Sequence, residues 1–282
     1  AGAVALEFAS LWNAAGCDVT LLKRKDRVLS TWERRASMTL TRELKRRGVN
    51  VIARTAVDRV DTGANLGATV HYRQGDSDED RTAYGEVVLA AIGRVPNTDA
   101  DWFRSSGLKL DERGYVTVDG YGRTNLDGVW ALGDITPGHA LAHRAFEQGI
   151  TIAEKIAGAD PKPVLDDTVP QVVFSFPEAA SVGLTLDQAK AREDVVEPKE
   201  TAYPMLSNAR MLMSGEGGSM TVVSGAFANN PDMQVVLGVH IVSPIASDLI
   251  AEAEQLVGNR VPLADAARLI HPHPTFSETL GE

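Results

Sequence analysis

The sequence of 282 residues contains a single cysteine, Cys17. With no second thiol, the chain can form no internal disulfide, no cysteine-based zinc site and no disulfide-stapled scaffold. Positive charge is also scarce: 28 basic residues stand against 38 acidic ones, a formal net charge of −10. That balance argues against nucleic acid or an acidic membrane surface as the main partner. No apolar run approaches the ~18 residues of a membrane span. The opening residues lack the basic region of a signal peptide, and the expected location is cytoplasmic. What is present is ordinary for a globular chain, with 44% hydrophobic and 23% charged residues, which excludes intrinsic disorder. The length suggests roughly two domains.

The chain opens as a glycine turn entering a helix, with small apolar residues from Ala3 to Ala15 and Gly16 as a natural stop. A short strand is predicted at Asp18 to Leu22. Turn, helix, glycine and strand are the back end of a βαβ unit, so the chain reads as beginning in mid-motif. A helix at about Glu33 to Arg47 and a strand at Val49 to Ile52 follow. Residues 55–86 alternate in a way that suits an antiparallel excursion. The apolar run Val87 to Ile92, closed by Gly93, predicts a buried strand. Further strands are predicted near Val116–Val118 and Val129–Leu132, with a helix from about Ala140 to Ala157. Pro161 and Pro163 mark a linker. Beyond it, strands near Gln171–Phe174, Met220–Val223 and Val235–Val242 precede helices at Ala246–Leu256 and Leu263–Leu269, an α+β pattern.

Three motifs carry candidate chemistry. The first is Ala1-Gly2-Ala3-Val4-Ala5, where Gly2 and Ala5 suit the second and third positions of a dinucleotide fingerprint that lays a pyrophosphate on a helix N-terminus. After the next strand, where the ribose would be read, stand Lys23-Arg24-Lys25 instead of an acidic residue. A guanidinium there suits a 2′-phosphate, which favours NADPH; the alternative is an exposed basic turn. The second motif is Thr124 to Asp134, an apolar segment ending in Gly133-Asp134. Its carboxylate could accept from a sugar or ribitol hydroxyl, while Asp127-Gly128 is also a plain turn signal. The third is the tail, His271-Pro272-His273-Pro274-Thr275-Phe276-Ser277-Glu278. An imidazole whose second nitrogen is held by a carboxylate is a general base, and the prolines fix the backbone that presents it. Surface histidines or metal ligands are the alternatives. Cys17 reads as a buried small hydrophobe, not a nucleophile.

Taken together, the segments resemble the flavin-dependent pyridine nucleotide–disulfide oxidoreductases, and within them the dihydrolipoamide dehydrogenase branch. The resemblance is carried by Gly2 to Phe8, Val19 to Leu29, Val88 to Asn97, Thr124 to Asp134, Leu141-Ala142-His143, Val169 to Phe174 with Pro177-Glu178, Leu237 to Val242, and the histidine-proline tail. These run in family order across nearly the whole chain. The resemblance implies Rossmann-like α/β segments that bind FAD and NAD(P), followed by an α+β dimerisation domain. On that basis residues 1–94 are an NAD(P)H-binding domain without its first strand, 95–163 the C-terminal half of an FAD-binding domain, and 164–282 the interface domain.

The same resemblance implies site residues. Gly2, Ala3, Glu7, Lys23, Arg24 and Gly93 fall in the NAD(P)H segments. Gly133 and Asp134 fall at the FAD ribitol, and Ala142 with His143 along the flavin ring. His273 and Glu278 match the family's acid–base pair, which serves the partner subunit's site and so implies a homodimer. The implied reaction passes electrons between NAD(P)H, FAD and a dithiol or disulfide substrate, including lipoyl groups. The family's first FAD fingerprint and its redox cysteine pair have no counterpart here, and Cys17 cannot replace that pair. The chain is therefore expected to be the C-terminal portion of a longer polypeptide and to be unable to reduce a disulfide alone. The basic cofactor loop is more like glutathione or mycothione reductases or NADPH-using quinone reductases. A non-catalytic nucleotide-binding, dimerising remnant is the reading from a different class.

Overall fold

The computed structural model describes residues 1–63 and 67–281. Residues 64–66, within the expected antiparallel excursion, and residue 282, the last of the expected interface domain, lie outside the described residues. The chain forms two compact units, one of Ala1–Ile92 with Val172–Glu282 and one of Gly93–Gln171.

The first unit begins with helix α1 (Ala3–Ala14), strand β1 (Thr20–Lys23), helix α2 (Arg34–Arg46) and strand β2 (Asn50–Ala53). Strands β1 and β2 pair in parallel, Leu21 opposite Val51, so the α/β reading of this segment holds. Helix α2 starts where Glu33 turns its carboxylate onto the free first-turn amides, accepting from Ala36 N–H at 2.7 Å. Leu40 and Leu44, one turn apart, are both buried on its inner face. Strands β3 (Thr55–Thr62), β4 (Ala68–Gln74) and β5 (Arg81–Gly85) then make the predicted antiparallel sheet, in that order.

Two expectations fail in this segment. The run Val87–Ile92 forms no strand, and Ile92 is 97% exposed. An apolar run becomes a buried strand only with hydrogen-bonded neighbours and covering layers, and none pairs with it among the described residues. Cys17 is exposed rather than buried. Gly16, at φ +89°, ends α1 in the left-handed region, and the turn that follows carries the thiol to the surface while Cys17 N–H donates to Trp12 O at 2.9 Å.

The second unit holds helix α3 (Asp101–Arg104), a 3₁₀ turn at Gly133–Ile135 and helix α4 (Ala142–Ile156). The strands expected at 116–118 and 129–132 reduce to single bridges, Leu110 with Val116 and Arg123 with Trp130. Aspartate-led turns bracket the first of these segments. Asp111 Oδ1 accepts from Arg113 N–H (2.8 Å) and Tyr115 N–H (2.9 Å), and Asp119 Oδ1 from Tyr121 and Arg123 N–H, both at 2.9 Å.

The remaining elements are β6 (Gln171–Val173), β7 (Glu178–Gly183), α5 (Leu186–Ala191), β8 (Val195–Pro204), α6 (Ala209–Ser214), β9 (Ser219–Phe227), β10 (Asn230–Ser243), α7 (Ala246–Gly258) and α8 (Leu263–Ala266). Their five-stranded sheet runs β6-β7-β10-β9-β8, the α+β arrangement foreseen for this half. Its core joins Met205, Met220 and Ile241 to Leu249, Ile250 and Ala253 of α7. At the β7–β10 seam Gly183 faces Gly238, and a methyl group on Gly183 would run into the Leu237 carbonyl. Leu6, Leu40 and Leu44 share a second core with Val173, Ala179 and Val242, so the two stretches of the first unit are fused through one apolar interior.

Candidate active site

The tail after α8 carries the catalytic candidates. Here His273 Nδ1 donates to Glu278 Oε1 at 2.7 Å, while Glu278 Oε2 accepts from Thr275 N–H at 2.8 Å. These two donors, the backbone amide first and the imidazole second, hold the Glu278 carboxyl below its usual range. The carboxylate fixes Nδ1 as the protonated nitrogen. That leaves Nε2 free to take or give a proton, on a ring whose side chain is 72% exposed. The five-residue spacing works because Ser277–Leu280 wind as a 3₁₀ turn that folds Glu278 back onto the histidine.

Two residues missed in the sequence hold this loop. Asn208, buried ahead of α6, accepts from Met211 N–H at 3.1 Å and donates to Thr275 O at 3.0 Å and to Thr279 Oγ1 at 3.3 Å. Glu252 on α7 accepts from His271 Nε2 at 2.7 Å. A capping asparagine before a helix is a legible signal, although its reach to residue 275 is not.

In the same unit, Gly2 is the N-cap of α1 and no side chain caps the helix. A Cβ on Gly2 would meet nothing within 4 Å, and the first-turn amides beginning at Ala3 have no side-chain cap. Glu7 turns inward, its carboxylate accepting from Phe174 N–H at 3.0 Å. Lys23 is buried at the end of β1, and its ammonium donates to Lys25 O at 2.9 Å. Burial pushes its pKa down. Arg24 and Lys25 are exposed. The basic cluster therefore splits into one inward, structural cation and two outward ones. An uncapped helix start beside free cations suits the phosphates of a dinucleotide.

In the second unit Gly93 adopts φ +140°. Gly133, at φ +73°, donates its N–H to Gln148 Oε1 at 2.9 Å. Asp134 beside it is exposed, and its carboxylate has no hydrogen-bond partner among the described residues. Ala142 is the first residue of α4, which also starts without a side-chain cap. His143 Nε2 donates to Pro170 O at 2.7 Å. Arg144, buried behind it, donates to Asp166 Oδ1 at 2.7 Å and to Pro137 O at 2.6 Å. A free carboxylate and an open helix start are the groups that a polyhydroxylated, phosphorylated cofactor such as FAD needs. No cluster of three or more metal-ligating side chains exists among the described residues, and no helix among them is long and apolar enough to cross a membrane.

Comparison with known proteins agrees with this geometry. Residues 1–149 match the family model for pyridine nucleotide-disulphide oxidoreductases, and residues 169–282 match the dimerisation domain of the same family. The chain is 37% identical over 284 aligned residues to a dihydrolipoyl dehydrogenase of Cupriavidus necator and 34% identical to that of Thermus scotoductus. All of this chain aligns, covering 58% and 59% of those proteins. The crystal structure of LpdA from Mycobacterium tuberculosis superposes with a TM-score of 0.86 at 28% identity, over all of this chain and 59% of that one. The HOCl-induced flavoprotein disulfide reductase RclA from Escherichia coli shares the fold, with a TM-score of 0.81 at 23% identity, over 99% of this chain and 61% of that one. The chain thus spans about three-fifths of the relatives it matches. On the family match across its first half and the matching dimerisation model across its second, the chain belongs to the pyridine nucleotide-disulphide oxidoreductases.

Proposed function

We propose that this chain is the NAD(P)H-binding and interface portion of an FAD-dependent disulfide oxidoreductase of the dihydrolipoyl dehydrogenase type. The observation that carries the reading is the His273–Glu278 pair at 2.7 Å, with Nε2 presented outward. When bound, FAD supplies the two-electron relay between a nicotinamide and thiol chemistry. The residues of this chain handle the proton: His273 Nε2 takes and returns the proton of a dithiol, and Glu278 steadies the imidazolium that forms. Asp134 and the start of α4 at Ala142 and His143 hold the flavin nucleotide, with Gly133 shaping the approach. Gly2, Ala3 and Arg24 hold the nicotinamide nucleotide, while Glu7 and Lys23 support that site from inside.

We assign NADPH as the preferred nucleotide because Arg24 is outward and unencumbered, whereas no acidic side chain follows β1 directly. The division into residues 1–94, 95–163 and 164–282 belongs to the same proposal. So does a homodimer formed through the last part, supported by the dimerisation match and by exposed Leu206, Leu212, Met213 and Ile270. A cytoplasmic setting accords with an exposed, unpaired Cys17.

The test is His273→Gln in the full-length flavoprotein that carries this segment. Dithiol oxidation should slow by about 10²–10⁴-fold, the range of general acid–base catalysis. Reduction of the flavin by NAD(P)H should keep the wild-type rate. Equal loss in both half-reactions, or none in either, would overturn the assignment.

A further inference from the structure

We propose that His271 and Glu252 form a positioning pair for the His273–Glu278 dyad: α7 grips the His271 ring, and the ring fixes the two ends of the loop that bears the dyad. This rests on the acid–base reading above and adds two residues to it. His271 Nε2 donates to Glu252 Oε1 at 2.7 Å, and only 9% of the His271 side chain is exposed. The Nδ1–Cε1 edge of the ring lies against Gly281, where a Cβ would sit 3.0 Å from His271 Nδ1. One imidazole therefore touches the helix behind the loop and the residue just past the 3₁₀ turn Ser277–Leu280.

The geometry matters because the dyad spans that loop. His273 sits two residues after the gripped ring, and Glu278 lies on the turn that Gly281 closes. A rigid interval between them keeps the 2.7 Å bond aligned. Catalytic groups lose effectiveness when their supporting shell loosens by even an ångström. The charged groups facing the His271 ring are Glu252 from α7 and, across the loop, Glu278. His271 also acts electrostatically on Glu278, helping to hold that carboxyl ionised. Asn208 grips the same loop from the α6 side, at Thr275 and at Thr279 on either side of Glu278, and the His271 ring adds the hold on the His273 end.

The experiment is a long-range ¹H–¹⁵N NMR measurement of imidazole tautomers in the full-length flavoprotein that carries this segment, with the His273 signals identified by His273→Gln. In the wild type, neutral His273 should show the Nδ1–H tautomer that Glu278 selects. In Glu252→Gln and His271→Gln it should shift toward the Nε2–H form that free imidazole prefers, while His71→Gln, a change on another sheet, leaves it unmoved. Gly281→Ala, which crowds the ring without removing a charge, should shift it in the same direction. Near-ultraviolet circular dichroism confirms that each variant is folded. A His273 tautomer unchanged in folded Glu252→Gln and Gly281→Ala overturns the proposal. That result leaves the acid–base reading intact, since the latter is decided separately by the two half-reactions of His273→Gln.

Discussion

The side-chain amide of Asn208 donates to the carbonyl oxygen of Thr275 at 3.0 Å, joining residues 67 positions apart in the chain. One buried amide thus caps α6 with its oxygen and pins the dyad loop with its nitrogen.

Replacing Asn208 by alanine removes the cap and leaves the Thr275 carbonyl without its side-chain donor. A lost cap costs about 1 kcal/mol, and a buried polar group left unpaired about 1–3 kcal/mol. Urea denaturation should show a loss of about 2–4 kcal/mol. Asn208→Asp keeps the cap and should recover only that share.

The interface half carries a built-in acid sensitivity. His240, on β10 with β7 and β9 on either side, is fully buried, and there Ser181 Oγ donates to Nδ1 at 2.7 Å and Nε2–H donates to Leu184 O at 3.2 Å. Burial lowers its pKa from 6.5 to about 4, so the folded state binds this proton more weakly than the unfolded state. Stability contributed by neutral His240 is whole above pH 6.5 and declines as pH falls from 6.5 toward 4. The total is about 3 kcal/mol for a shift of that size. Glu278, with its depressed carboxyl, adds a further loss only below its unfolded value of 4.5. Thermal melts across that window should flatten in His240→Gln; an unchanged slope would discount the histidine.

Cofactor preference divides Lys23 from Arg24. Arg24→Ala should weaken NADPH relative to NADH by about 10–100-fold, the worth of one charge-assisted contact. Lys23→Met should leave that ratio alone, because the Lys23 ammonium is spent on the Lys25 carbonyl. Calorimetric titration of both nucleotides against each variant decides it.

Gly183→Ala should destabilise the interface half by several kcal/mol, of the order of a strained backbone plus overpacking. Gly183 holds φ +80°, and the obstacle it would meet is the Leu237 backbone, which cannot step aside. A melting temperature within error of the wild type would refute this.

The sequence made the dyad readable because both members lie in one short, proline-stiffened tail, so their meeting is a local matter. Helix α2 was equally plain, since Leu40 and Leu44 share a face and Glu33 stands at the cap. Glu252 looked like any solvent-facing acid on an amphipathic helix; only tertiary packing brings it to His271, nineteen residues on. Lys23 shows the reverse error, a cation that composition places outside and packing turns in. The run Val87–Ile92 failed because apolar character states a wish for burial, while burial needs a partner surface. The aspartate turns of the second unit bracket the strand predicted at 116–118, as Asp111 and Asp119 each capture two amides just outside it.

The core shared by Leu6, Val173 and Val242 bears on how the molecule comes into being. A ribosome releases Leu6 first and Val242 long afterwards, with residues 93–171 in between. Until β10 emerges, α1 and α2 have only part of their apolar cover, and closing so long a loop precedes any reward from the contacts it brings. The nascent first segment therefore waits, partly bare, until β10 has emerged, and that interval is when a chaperone would meet it.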